Sequence, residues 1–396
     1  MSKVEYLNGL RGFATGMVFF SHFRGGFFPA ANNYIFNLFC DGSFAVMIFF
    51  VLSGYVLSNS FFSAGKNKKF FYNCCRRYIR LVVPVLFSVF LAYLCLRYSF
   101  FYNKDILSFT GNEWIAGFYN FTPSFNAMFR EGLIGIFTGS TPVYNPVLWT
   151  MRTELFGSLI VYALIGVISY LRFFNKYKNR CVLYAILTGI LIIYKDPATL
   201  AFIFGIFLCD DHHSEDGFIF RNHNTPITIT ILIIIGLISG SFIQTYLAMS
   251  ANMSGYIGAL FNQIPGFANN SSLILEYARA AGSALIMIAL LKSKRLQSFF
   301  SYSPVLFMGK ISFSFYTIHL ILLCSVASFI YLNFIYLGIF YASIISLIIC
   351  LPLTCVLSYY MTEYVDNYGI LISKSIPEKL IRGGRRIKAL IMQHSS

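Results

Sequence analysis

Apolar residues run in blocks long enough to cross lipid, at 7–28, 43–62, 81–101, 146–171, 226–248, 272–291, 305–331 and 335–360, with short polar stretches between them. A bilayer core takes about 20 apolar residues of helix, so each block predicts a membrane-spanning helix. Two shorter blocks, 181–194 and 197–209, meet at the tripeptide "KDP". They read as two further spans or as one re-entrant hairpin, and the sidedness of every other segment is the same either way. The expected fold is therefore all-α, a polytopic transmembrane helical bundle of about ten spans, or about eight spans plus a hairpin.

The polar stretches set the orientation. The basic segments "KNKKFFYNCCRRYIR" at 66–80, "RFFNKYKNR" at 172–180, "KSKR" at 292–295 and "RGGRRIK" at 382–388 all fall on one side of the alternation. Arg and Lys are sparse in the opposite loops, 102–145 and 249–271. Lys and Arg collect in cytoplasmic loops, so both termini are expected in the cytoplasm. One transmembrane domain over 1–372 and a basic cytoplasmic tail over 373–396 follow from this layout.

Composition narrows the class. Of 396 residues, 57% are hydrophobic and 11% charged, against roughly 25% charged in soluble domains. The net charge of +15 would suit nucleic acid if it lay in one patch. Here it is dealt out in short clusters beside apolar runs, which points to membrane lipid and to no nucleic acid partner. Nine cysteines show no CxxC spacing and imply no redox role. Arg11 interrupts the first apolar block, so a cleaved signal peptide is not expected. No GxSxG elbow, P-loop or dinucleotide glycine pattern occurs. The stretch "CDDHHSEDGFIFRNH" at 209–223 holds ligand-type residues, but their crowded order lacks metal-site spacing, and no metal is expected.

The residues that do not belong in lipid carry the chemistry. Within "LNGLRGFATGMVFFSHFRGG" at 7–26, Arg11 and His22 are eleven residues apart. At about 100° per residue that comes within about 20° of three whole turns, so the two share one helix face about 16 Å apart. Charge at membrane depth costs several kcal/mol and marks a functional or a paired position. Glu154 in "NPVLWTMRTELFGS" and His319 in "ISFSFYTIHL" reach a depth similar to that of His22, counted at about 1.5 Å per residue. Each also has a plainer reading. His319 would bond a backbone carbonyl, and Glu154 would pair with Arg152 or another buried arginine. Glu276 and Arg279, three apart on one helix, are expected as a structural ion pair. Gly9, Gly12 and Gly16 are expected to let another helix approach the first span closely.

"CCRRYIRLVVP" places Arg77 and Arg80 on one face at the start of the third helix, with Arg76 beside them. Planar guanidinium groups take phosphate through two hydrogen bonds, so the cluster suits a nucleotide or coenzyme A. It equally suits a cytoplasmic anchor of the span.

Together these residues resemble membrane-bound acyltransferase family 3, integral-membrane O-acyltransferases of surface glycans. The resemblance rests on Arg11 and His22 at R-x10-H spacing and on "FFVLSGYVLS" at 49–58. It extends through R-x-x-R at Arg77 and Arg80, "LWTMRTE" ending at Glu154, and "SFSFYTIHL" at 312–320. The motifs keep the family's order over nearly the whole membrane portion. With no hydrolase-like domain after the last block, the chain resembles the stand-alone form.

The resemblance implies an acyl-CoA donor, usually acetyl-CoA, at the cytoplasmic side and a glycan or lipid-linked sugar acceptor at the other. Arg11, Arg77 and Arg80 would then hold the donor. His22 would deprotonate a sugar hydroxyl or itself carry the acyl group, with Glu154 orienting it or meeting the acceptor. Ser53, Tyr316 and His319, within the motifs, are expected to line the site. The implied setting is a multi-pass protein of the bacterial inner (plasma) membrane. A transporter or flippase is the rival class, with buried Arg, His and Glu as a substrate or proton path.

Overall fold

The computed structural model describes residues 5–28, 40–64, 70–221, 225–242 and 271–375. Apart from its first three residues, the basic tail expected over 373–396 lies outside the described residues, as does most of the 249–271 loop. Every regular element described is helical. The longer helices are α1 (Glu5–Phe27), α2 (Gly42–Ala64), α3 (Phe70–Arg97), α4 (Trp149–Tyr170), α5 (Tyr177–Ile193), α6 (Pro197–His213), α7 (Pro226–Leu237), α8 (Ser271–Lys292), α9 (Ser303–Leu322) and α10 (Ile339–Met361). Among the described residues, six stretches are long and apolar enough to cross a membrane: Gly42–Ser63, Tyr72–Arg97, Pro146–Tyr170, Ser272–Lys292, Ser303–Leu337 and Ile339–Ser375. The chain is thus a polytopic helical bundle.

The "KDP" junction makes two helices of 17 residues each, α5 and α6. Each is about 25 Å long, against a hydrocarbon core of about 30 Å. Lys195 turns the chain at φ 59°, the Asp196 side chain accepts from Thr199 N at 3.0 Å, and Pro197 opens the next helix.

Helices in lipid associate by close packing more than by the hydrophobic effect, and small residues permit it. The two largest interhelical contacts among the described residues, α2 with α6 and α1 with α9, both rest on glycine. A Cβ on Gly54 would stand 2.2 Å from Phe202 O, and one on Gly205 2.2 Å from Val51 O. A Cβ on Gly12 would stand 2.4 Å from Gly309 N, and one on Gly309 2.2 Å from Asn8 O. Gly9 likewise abuts Phe300, whereas Gly16 faces open space. The expectation of close packing thus holds for two of the three early glycines.

Three local differences from the sequence reading bear on the site. Helix α3 begins at Phe70, so Arg77 and Arg80 lie two to three turns inside it, not in its first turn. Basic side chains on the cytoplasmic extension of a span can reach back along it, so the helix need not start where the apolar run does. Arg279 pairs with Asp41 at 3.0 Å while Glu276 stays exposed. Proximity along one helix loses here to a carboxylate offered by the start of α2. Finally, the helix that carries His319 runs into a π-helical turn, Leu323–Ala327, and α10 runs into another, Thr362–Asp366.

The acidic and histidine-rich stretch that ends α6 is tied into the scaffold. Asp210 takes two hydrogen bonds from Arg180, at 2.7 and 2.8 Å, and Asp211 accepts the backbone N–H groups of Phe218, Ile219 and Phe220. Tyr55 OH lies 2.5 Å from His212 Nδ1.

Candidate active site

Helices α1 and α9 run the same way, and their glycine contact brings the faces of Arg11, His22, Tyr316 and His319 together. Beside this pair, α2, α3 and α4 close a cavity of about 240 Å³. Arg11, Ser53, Arg77, Arg80, Glu154 and Tyr316 line it, joined by Lys310 and Asp366. Six of the eight residues expected at the site therefore share one cavity.

The other two form a pair of their own. His22 Nδ1 lies 2.9 Å from His319 Nε2, and the two rings stack with centroids 5.1 Å apart. His319 is buried, at 1% exposure, and its Nδ1 lies 2.7 Å from Tyr316 O and 3.3 Å from Phe315 O. A carbonyl oxygen only accepts, so His319 Nδ1 carries a hydrogen and donates it. With both rings neutral, His319 Nε2 then holds a lone pair and accepts from His22 Nδ1–H. The lone pair of His22 is left on Nε2. The chain of donors fixes the tautomer that a general base requires. The plainer reading of His319, a backbone-bonded histidine, is correct as far as it goes, and the carbonyl is what directs its other nitrogen to His22.

Tyr316 stands between cavity and pair. Its ring is 5.8 Å from His319, its hydroxyl donates to Val147 O at 2.6 Å, and Thr150 Oγ1 is 2.9 Å away. The cavity ends at this tyrosine, one ring short of the histidines.

Glu154 is held on the cavity wall away from His22. It forms an ion pair with Arg77, and Ser53 Oγ donates to its Oε1 at 2.7 Å. Arg77 Nε also donates to Ser158 Oγ at 2.9 Å. Of the readings open for Glu154, pairing with a buried arginine is the one seen, with Arg77 and not Arg152, and the group hydrogen-bonded to the His22 imidazole is His319. Arg77 is thus committed to a carboxylate, whereas Arg11 and Arg80 form no ion pair among the described residues. Arg11 is held only loosely, by a 3.3 Å hydrogen bond to Asn8.

The sequence reading missed three residues. Trp114, in the segment joining α3 to α4, sets its ring 5.3 Å from that of His22 and remains 43% exposed. Asp366 lies buried on the cavity wall. Lys310 lines the rim, paired with Glu363. Lys310 could have been found as a charge inside the apolar run 305–331; Asp366 lies just past the last run, and Trp114 sits in the four-residue helix Glu113–Ala116 between two spans, so neither gave such a signal.

The chain matches the family model described as an acyltransferase domain over residues 4–363. Comparison with curated proteins and with solved structures gave no match.

Proposed function

The chain belongs to acyltransferase family 3 and is thus a multi-pass membrane acyltransferase, and we propose that it transfers an acyl group from acyl-CoA to a hydroxyl of a glycan or lipid-linked sugar. The observation that carries this reading is the hydrogen-bonded His22–His319 pair one ring away from a cavity lined by two arginines, Arg11 and Arg80, that form no ion pair among the described residues. On this reading Arg11 and Arg80 take the phosphates of the donor, which enters from the cytoplasmic side. The acyl thioester passes Tyr316, whose side chain must swing aside. The donor is acetyl-CoA in the simplest case, and the setting is the inner (plasma) membrane of a bacterium.

At His22 the bond changes balance without a further reactant. His22 Nε2 takes the proton of the acceptor hydroxyl as its oxygen attacks the thioester carbonyl. The C–S bond breaks, and the departing sulfur takes the proton from the imidazolium. His319 keeps His22 in the required tautomer and accepts partial charge from it, the role a carboxylate fills in other triads. Trp114, half exposed beside His22, offers a flat apolar face for a sugar ring on the side opposite the basic loops.

The test is acyl transfer by the purified protein in reconstituted membranes, followed as free CoA released from acetyl-CoA with surface glycan as acceptor. Release that depends on acceptor and fails in His22→Ala supports the reading. Movement of solute with no thioester consumed would support a transporter instead.

A further inference from the structure

Asp366 is a buried carboxyl group that lines the cavity and closes on no partner among the described residues. It is 7% exposed and lines the cavity wall. Its Oδ1 has no hydrogen-bond partner, and it forms no ion pair among the described residues. Arg80 and Arg11 lie within electrostatic reach of it, yet neither closes on it. Where this protein uses a buried ion pair structurally, the partners touch, as Arg77 touches Glu154 and Arg180 touches Asp210. Opposite charges kept apart across a cavity cost free energy in the empty protein, because each is desolvated without full compensation. Such an arrangement suits a ligand that presents an anionic group and a hydrogen-bond donor side by side.

Resting on the donor reading given above, we infer that the Asp366 carboxylate, which lines the cavity, accepts a hydrogen bond from an N–H of the acyl donor, beside the arginines that take its phosphates. Coenzyme A has two kinds of N–H near its phosphates: the adenine amino group and the amides of the pantetheine arm. A carboxylate acceptor confers selectivity that arginines alone lack. Any polyphosphate attracts the arginines, but only a ligand with a correctly placed N–H offsets the repulsion between its phosphates and Asp366.

The experiment is titration calorimetry on the full chain in detergent with CoA, 3′,5′-ADP and 4′-phosphopantetheine, for wild type, Asp366→Leu and Asp366→Asn. Leucine removes charge and acceptor together, while asparagine removes the charge and keeps a weaker acceptor. The inference expects CoA affinity to fall roughly tenfold to hundredfold in Asp366→Leu and less in Asp366→Asn. One fragment should follow the loss: 3′,5′-ADP if the amino group is the donor, phosphopantetheine if an amide is. Unchanged or tighter binding of CoA and both fragments in the variants would overturn it, since Asp366 would then only temper the arginine field. If Asp366→Leu does not accumulate, Asp366→Asn decides alone by the same selective loss. Absence of CoA binding to wild type would instead defeat the donor reading itself, and this inference with it.

Discussion

His22 and His319 lie 297 residues apart in the chain and 2.9 Å apart at their ring nitrogens, with His319 anchored in turn on the carbonyl of Tyr316. With both rings neutral each proton has one place in this arrangement, and the lone pair of His22 is left on Nε2. His22→Ala should abolish acyl transfer while leaving donor binding in place, because Arg11 and the other arginines belong to the cavity. His319→Gln should lower kcat by roughly tenfold to a thousandfold, part of the 10²–10⁴ range typical of acid–base catalysis, with donor affinity and acceptor KM unchanged. Steady-state kinetics beside a separate donor titration checks both. Near-normal transfer by His22→Ala would sink the assignment, and a His319→Gln defect confined to KM would remove its positioning role.

The arginines of the cavity should divide by their pairing. Arg11→Ala should cost about 1–3 kcal/mol of donor binding with little change in Tm, and Arg11→Lys should restore only part of it because a point charge lacks the planar fork. Arg77→Gln should instead leave Glu154 buried without its counter-charge, costing about 3–5 kcal/mol of stability. The double variant Arg77→Gln/Glu154→Gln should recover much of that Tm. If Glu154→Gln alone lost activity with Tm intact, Glu154 would act on the reaction and not only on Arg77. Thermal melts in detergent with parallel calorimetry separate the cases.

Trp114 should matter to the acceptor alone. Trp114→Ala should raise the acceptor KM several-fold, on the order of one aromatic contact, with donor affinity unchanged, and Trp114→Phe should recover part of the loss. An unchanged acceptor KM in Trp114→Ala would leave the tryptophan as a cover for His22 without a part in binding.

Close approach of α1 and α9 holds the histidines in register, so the glycines between them should tolerate nothing larger. Gly12→Ala or Gly309→Ala would place a Cβ 2.4 or 2.2 Å from backbone atoms, and the helices would have to part, at a cost of about 1–3 kcal/mol or more. Activity should fall further than stability, as the His22–His319 distance opens. Gly16→Ala, facing open space, is the control and should change neither. Melting temperature and turnover, measured together, decide this.

Much of this site was legible in the sequence because its signals are local. The eleven-residue interval from Arg11 to His22 fixes a shared face by helix geometry alone, and a charge within an apolar run announces itself. Partnership was not legible. Glu154 finds Arg77 across 77 positions and His22 finds His319 across 297, and no periodicity encodes which buried groups meet. Hydropathy marks where lipid begins and so starts α3 too late, while the helix continues through "FFYNCCRRYIR" ahead of the apolar run. Trp114 escaped for the opposite reason: it lies in a loop whose short helices have no apolar period, and only the fold brings it to His22.

The π-helical turn Thr362–Asp366 works as a phase shift. One surplus residue in a helix advances everything beyond it by about 100° relative to an unbroken α-helix. Upstream of the turn α10 can therefore keep an apolar face to lipid, and at its end the same helix can swing a carboxylate inward to the cavity. Loss of a single residue from this turn would rotate Asp366 out of the cavity towards hydrocarbon, where a carboxylate costs about 2.5–3.5 kcal/mol even by the mildest scales. Length, then, is under tighter constraint here than side-chain identity: substitutions around Asp366 change the site by degrees, whereas one insertion or deletion would re-index it.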